Sequence, residues 1–265
     1  MTSRREILAG LAATLVGAAS RPALAAADYD LDDPAASLEA YIKLRGDLSG
    51  RPVFDMVQGE VLGLVAGEPA RPLFRMLGAQ VSRYQRVSPL EYAASTRYLG
   101  MLIDSQTNRR LQTWVNPYNG KLCEVPMTRY GPAEMRFLTD RMLPASMDVP
   151  ADASQGARPW YRMGDVLHMV DQVFSPAPAA ALPDADFMTF SGSWSRLNYP
   201  ALTRIPARLS FTAVEHWRDW MGMDQPGSLL WHVAGVKLAR PTEYPDELRT
   251  LLEQQDPPFF EEKDL

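Results

Sequence analysis

Ala207-Arg208-Leu209-Ser210-Phe211-Thr212-Ala213-Val214-Glu215-His216-Trp217 is the stretch that decides how this chain folds. Its odd positions read Ala207, Leu209, Phe211, Ala213, Glu215 and Trp217, and its even positions carry Arg208, Ser210, Thr212, Val214 and His216. A repeat of two marks a half-buried strand, because successive side chains leave opposite faces of a sheet. With the odd face turned to the core, Glu215 stands among apolar groups. Burial would then raise its pKa and make it a proton carrier. An acid at the open end of a strand also pairs readily with an arginine, and both readings stay open at this level.

The same period recurs on either side. Strands are predicted over residues 53–65, 73–87, 92–103, 110–115, 121–126, 160–174, 186–197, 207–217 and 228–238. Asn116-Pro117-Tyr118-Asn119-Gly120 supplies hairpin chemistry between two of them. Residues 133–143 read ambiguously, with a helix as one option. A helix is predicted over 35–44 after Asp33-Pro34, with Leu38, Tyr41, Ile42 and Leu44 on its apolar side and Gly46 as its stop. A second is predicted over 244–254, with Leu248, Leu251 and Leu252 facing inward. Nine strands and few helices predict a mainly β chain, an antiparallel barrel or strongly curved sheet with a few peripheral helices.

Strand parity nominates further inward polar groups. Read as one strand, 160–174 places Trp160, Arg162, Val166, His168 and Val170 on one face. Asp165 and Asp171 mark the other face as the solvent side. His168 is thereby expected to point inward, either as a satisfied core residue or as a catalyst. Residues 228–238 put His232 with Leu230 and Val236, and Trp231 with Val233 and Lys237; both faces are apolar, so the inward one is left open. Residues 186–197 set Arg196 beside Trp194, a pair suited to clamping an anionic or phenolate group. Tyr98 sits where a phenol would hydrogen-bond a ligand oxygen or simply anchor its ring in the core. Trp114 reads either as an aromatic ligand rim or as specialised loop packing.

Composition bounds the function classes. The 265 residues carry a formal net charge of −5, 46% hydrophobic and 22% charged, an ordinary globular balance. An acidic chain offers no global basic field for nucleic acid. One cysteine, Cys123, excludes an intramolecular disulfide framework and Cys-rich metal sites. No dinucleotide fingerprint, P-loop or G-x-S-x-G elbow is present. A metal centre would have to assemble from scattered histidines and carboxylates, so neither metal nor cofactor is expected.

The chain opens with Ser3-Arg4-Arg5-Glu6-Ile7-Leu8, a diluted apolar run to Ala19, then Pro22 and Ala23-Leu24-Ala25-Ala26-Ala27. This is the layout of an export signal of the twin-arginine type. It implies recognition by the twin-arginine machinery, cleavage near Ala25 or Ala27 and a periplasmic destination. The apolar run is shorter than the ~20 residues a bilayer span needs. Residues 1–25 are therefore read as the signal and 26–265 as a single β-rich domain. The Pro/Ala-rich stretch at 175–183 reads as a long loop or lid.

Two segments carry a family resemblance. One is the hairpin of Asp104, Thr107, Trp114, Asn116 and Pro117; the other is the corner of Trp217, Trp220, Met221, Met223, Pro226 and Gly227. Together they resemble the domain-of-unknown-function 1838 family, whose members often carry a twin-arginine signal. The turn here, Asn116-Pro117-Tyr118-Asn119-Gly120, is one residue longer than the family's usual Asn-Pro-Thr-Gly. The resemblance implies compartment and a one-domain architecture, and no catalytic assignment.

Three functions fit these observations. The first is a cofactor-independent lyase or isomerase acting on a small apolar or aromatic molecule, phenolic or terpenoid-like. There His168 or Glu215 moves a proton, Tyr98 bonds an oxyanion, Arg196 steadies charge, and Trp194, Trp114 and His232 contact substrate. The second is a non-catalytic periplasmic carrier of a lipophilic ligand. The third is an interaction module whose barrel is filled by its own side chains.

Overall fold

The computed structural model describes residues 28–107, 109–146, 157–175 and 184–260. The segment read as an export signal and most of the Pro/Ala-rich stretch lie outside them. Ten strands form one antiparallel sheet, curled into a half-barrel with three helices. In chain order the strands are β1 (Val53–Leu64), β2 (Arg71–Ser88), β3 (Glu91–Ile103), β4 (Thr113–Val115), β5 (Leu122–Glu124) and β6 (Thr128–Leu138). Then come β7 (Met142–Pro144), β8 (Trp160–Met163), β9 (Val166–Ser175), β10 (Asp184–Ser193), β11 (Ala207–His216) and β12 (Ser228–Leu238). The sheet runs β7-β6-β3-β2-β1-β12-β11-β10-β9-β8, and β4 and β5 pair separately. The ambiguous 133–143 segment is strand, split between β6 and β7.

Two predicted strands are corrected. Residues 160–174 form a hairpin, β8 and β9, turning at Gly164 with φ +61°. A strand predicted to reach Leu197 stops at Ser193. There the Ser193 hydroxyl accepts from the Arg196 amide and caps the short helix α2 (Trp194–Leu197).

Helix α1 (Pro34–Arg45) begins where the Asp33 carboxylate accepts the Ala36 amide at 2.8 Å, with proline in the first turn. It plugs one end of the concave face. Leu38, Tyr41, Ile42 and Leu44 bury themselves against Val53, Tyr84, Phe137, Leu167, Met169 and Phe190. Each such side chain contributes on the order of 1.5–3 kcal/mol of burial. Helix α3 (Asp246–Gln255) covers the convex face, where Leu248 and Leu252 meet Phe54, Ala79, Val81, Leu99 and Met101. The far end of the concave face is closed by a third cluster. Val61, Phe74 and Leu229 lie there under Trp114, Trp217 and Trp220. The hairpin and corner that carry the family resemblance hold each other: Asn116 donates to the Met221 carbonyl and Asn119 to the Gly222 carbonyl, each at 2.9 Å.

Candidate functional site

Between the α1 plug and the tryptophan end, the concave face keeps a cavity of about 250 Å³. That exceeds the roughly 150 Å³ that accommodates a benzene-sized molecule. The space comes from glycines. Gly100, Gly78 and Gly235 lie in one row across β3, β2 and β12, with Val57 between them on β1. The Tyr98 ring lies flat over Gly78 and Gly100, and a Cβ at either position would collide with it.

The next row toward α1 is polar. Register sets Tyr98 on β3 opposite Gln80 on β2, Gln80 opposite Asp55 on β1, and Asp55 opposite Lys237 on β12. All four side chains leave the same face, because directly paired residues do so. Lys237 Nζ donates to the carbonyls of Lys43, Leu44 and Gly46 at 3.2, 2.7 and 2.9 Å, closing the C-terminal end of α1. Those acceptors suit an ammonium, and a cation suits a helix C-terminus. Burial pushes Lys237 below the usual lysine range while the Asp55 charge holds it up.

Asp55 lines the cavity and is 4% exposed. Its Oδ1 has no hydrogen-bond partner among the described residues. Burial raises its carboxyl well above the ordinary carboxylate range, opposed by the charges of Lys237 and Arg45. Burial also raises the Tyr98 phenol, and the Glu215 charge raises it further. Tyr98 is therefore a proton-bearing donor at neutral pH. Arg45, from the last turn of α1, reaches the same cavity with its guanidinium over the Phe190 ring at 4.9 Å. The remaining walls include Met76, Met188, Leu209, Phe211, Trp231 and Val233. Glu215 lines the cavity and is ion-paired with Arg218, the arginine pairing that was one of its two readings.

Of the residues nominated from sequence, the cavity gathers Tyr98 and Glu215. It leaves the others elsewhere. His168 is on the convex face, its Nδ1 2.8 Å from the Ser191 hydroxyl. The tight turn at Gly164 inverts the parity count, so that Leu167, Met169 and Asp171 face inward instead. His232 is exposed on the convex face beside Thr212. Arg196 is exposed on α2, and Trp194 is stacked under Arg162 at 4.7 Å. Trp114 packs on Phe74 and Trp220 with ring centroids 4.9 and 5.9 Å away, which is the loop-packing role. Asp55, Gln80, Arg45 and Trp231 were not nominated. For Asp55 the signal was present: Val53, Asp55, Val57 and Val61 share a face, the same pattern that exposed Glu215.

The described residues contain no group of three or more His, Cys, Asp or Glu side chains placed to hold a metal ion. None of their helices is long and apolar enough to cross a membrane.

The half-barrel thus carries a glycine-floored apolar cavity on which a few polar groups converge. The model of the family described as protein of unknown function (DUF1838) matches residues 50–264, and the chain belongs to that family. No curated protein matches the chain.

Proposed function

We propose that this protein is a cofactor-independent lyase or isomerase that moves a proton on a small, largely apolar or aromatic molecule, phenolic or terpenoid-like, held on the concave face. The observation that carries this reading is Asp55: a buried carboxyl on an apolar cavity wall, with an unpartnered oxygen and a raised pKa. Such a group exchanges protons near neutrality, which is what general acid–base catalysis requires. In the reading, Asp55 accepts a proton from a C–H or O–H of the substrate. Tyr98 donates a hydrogen bond to the oxygen that gains charge, and Arg45 offsets that charge. The proton returns to another atom of the same molecule in an isomerase, or to the departing fragment in a lyase.

The sequence alone pointed to His168 or Glu215 for this base role. His168 has no access from the convex face, and Glu215 is engaged by Arg218. The twin-arginine signal supports a periplasmic working place. Asp55→Asn keeps size and shape and removes the exchangeable proton. Turnover on a substrate found by screening phenolic and terpenoid libraries should fall by about 10²–10⁴-fold, with ligand affinity within a few-fold of wild type. A ligand bound and released unchanged by both proteins would make the molecule a lipophilic carrier instead.

A further inference from the structure

A second cavity of about 200 Å³ adjoins the first and shares Leu102, Thr128, Arg218 and Trp231 with it. Its own walls are aromatic and aliphatic, Phe74 and Trp220 foremost. The Trp220 ring is fixed by contacts to Phe74 at 5.9 Å and to Trp114 at 5.9 Å. A cavity walled by such preset rings accepts a flat apolar body at little entropic cost. Arg218 stands where the two cavities meet. It follows β11 at a turn, is half-exposed, and lies 5.7 Å from the Trp231 ring. One arm, Nη2, is given to Glu215. A guanidinium has five N–H donors in a planar fork, so this arrangement leaves donors to offer a ligand oxygen.

We infer that this smaller cavity is a binding subsite for a planar aromatic group bearing a carboxylate or phenolate oxygen, which Arg218 recognises. Arg45 and Arg218 are permanent cations on the joined walls, which also carry the acids Asp55 and Glu215. Recognition of an anion therefore rests on the Arg218 donors that Glu215 leaves open. The aromatic body displaces water from Trp220, Trp231 and Phe74, and its oxygen meets the free edge of the guanidinium. The recognition goes beyond the proton-transfer reading and does not depend on turnover.

Titration calorimetry on the signal-free chain tests it, with 2-naphthoate as the probe and 2-methylnaphthalene as its neutral isostere. Naphthoate should bind at least tenfold more tightly than the neutral compound. Arg218→Gln, at a half-exposed position, should bring the two within about twofold. Glu215→Gln, which frees the second arm, should tighten naphthoate further. Equal affinity for the two compounds, no binding of either, or a preference that survives Arg218→Gln overturns the inference. Asp55→Asn separates the two proposals. It should retain the naphthoate preference, so loss of turnover there bears on catalysis alone, and failure of the naphthoate test leaves the Asp55 assignment standing.

Discussion

Asp171 and Asp55 are two carboxyls on the same concave face, and their surroundings could hardly differ more. Asp171, on β9, accepts from Arg158 and the Tyr41 hydroxyl, and lies 3.5 Å from Arg45 Nη1. Arg158 in turn donates to the Leu138 carbonyl at 3.1 Å, tying the chain before β8 to the end of β6. The two outer flanks of the half-barrel are thus joined by side chains where, among the described residues, no strand pairing closes them. Asp55, on β1, has an oxygen with no hydrogen-bond partner among the described residues and a cavity beside it. A buried acid whose bonds are all met is a structural part. One left short is held there by the rest of the fold, and that cost marks where chemistry is placed.

The largest effect should fall on the saturated acid. Asp171→Ala leaves Arg45 and Arg158 buried without their counter-charge, which costs about 3–5 kcal/mol. Thermal unfolding should drop by roughly 10 °C or more. Asp55→Asn should show no comparable loss at neutral pH. If both substitutions destabilise equally, the contrast between structural and functional acid fails.

The second effect is a slope rather than a loss. The folded Asp55 carboxyl titrates above its ordinary value, so the folded chain pays to ionise it. Stability from this group is therefore intact below the usual carboxylate pKa and declines as pH rises through the raised one. Lys237, lowered by burial to about 7, acts in the opposite sense, its cost fading as pH rises from there toward the ordinary lysine value. Urea unfolding of wild type and Asp55→Asn at pH 4.5 and 6.5, below the range where Lys237 gives up most of its proton, follows the acid. Wild type should lose about 2 kcal/mol relative to the variant across that interval. A relative gain would mean that Asp55 is stabilised as a carboxylate, and would remove it as the proton carrier.

The comparison also shows what a sequence can disclose. Curvature and strand content were legible, because Ala207 to His216 and its neighbours alternate cleanly. Glu215 was legible for the same reason. His168 was misplaced because Gly164-Asp165 was read as strand: a two-residue turn exchanges odd for even, and every side chain beyond it changes face. Asp171 was misread because an aspartate was taken to mean solvent. That inference fails wherever two arginines and a tyrosine converge on the acid from α1 and from the segment before β8. The row Tyr98-Gln80-Asp55-Lys237 lay beyond local reading altogether. It exists only through the register of four strands, two of which are separated by more than a hundred residues.

A third effect tests how the cavity floor sets the phenol. Gly100→Ala adds a methyl group against the end of the Tyr98 ring, which must shift into the cavity it lines. The strand backbone tolerates alanine, so the melting temperature should stay within a few degrees. Turnover should nevertheless fall about tenfold, the equivalent of ~1.4 kcal/mol, as the donor leaves its place. Unchanged turnover would separate Tyr98 from the reaction.

The smallest effect is expected where sequence reasoning first looked for the catalyst. His168→Ala removes a bond to Ser191 on the convex face and leaves the cavity walls untouched. A single neutral hydrogen bond contributes about 1 kcal/mol, and the serine hydroxyl, half-buried, can turn to water. Stability should therefore fall by about 1 kcal/mol or less in urea unfolding, and turnover should match wild type. A collapse of turnover in this variant would move the reaction to the opposite face of the sheet. The unpartnered oxygen of Asp55 would then be a defect tolerated by the fold, and the row that contains it a packing solution rather than a site.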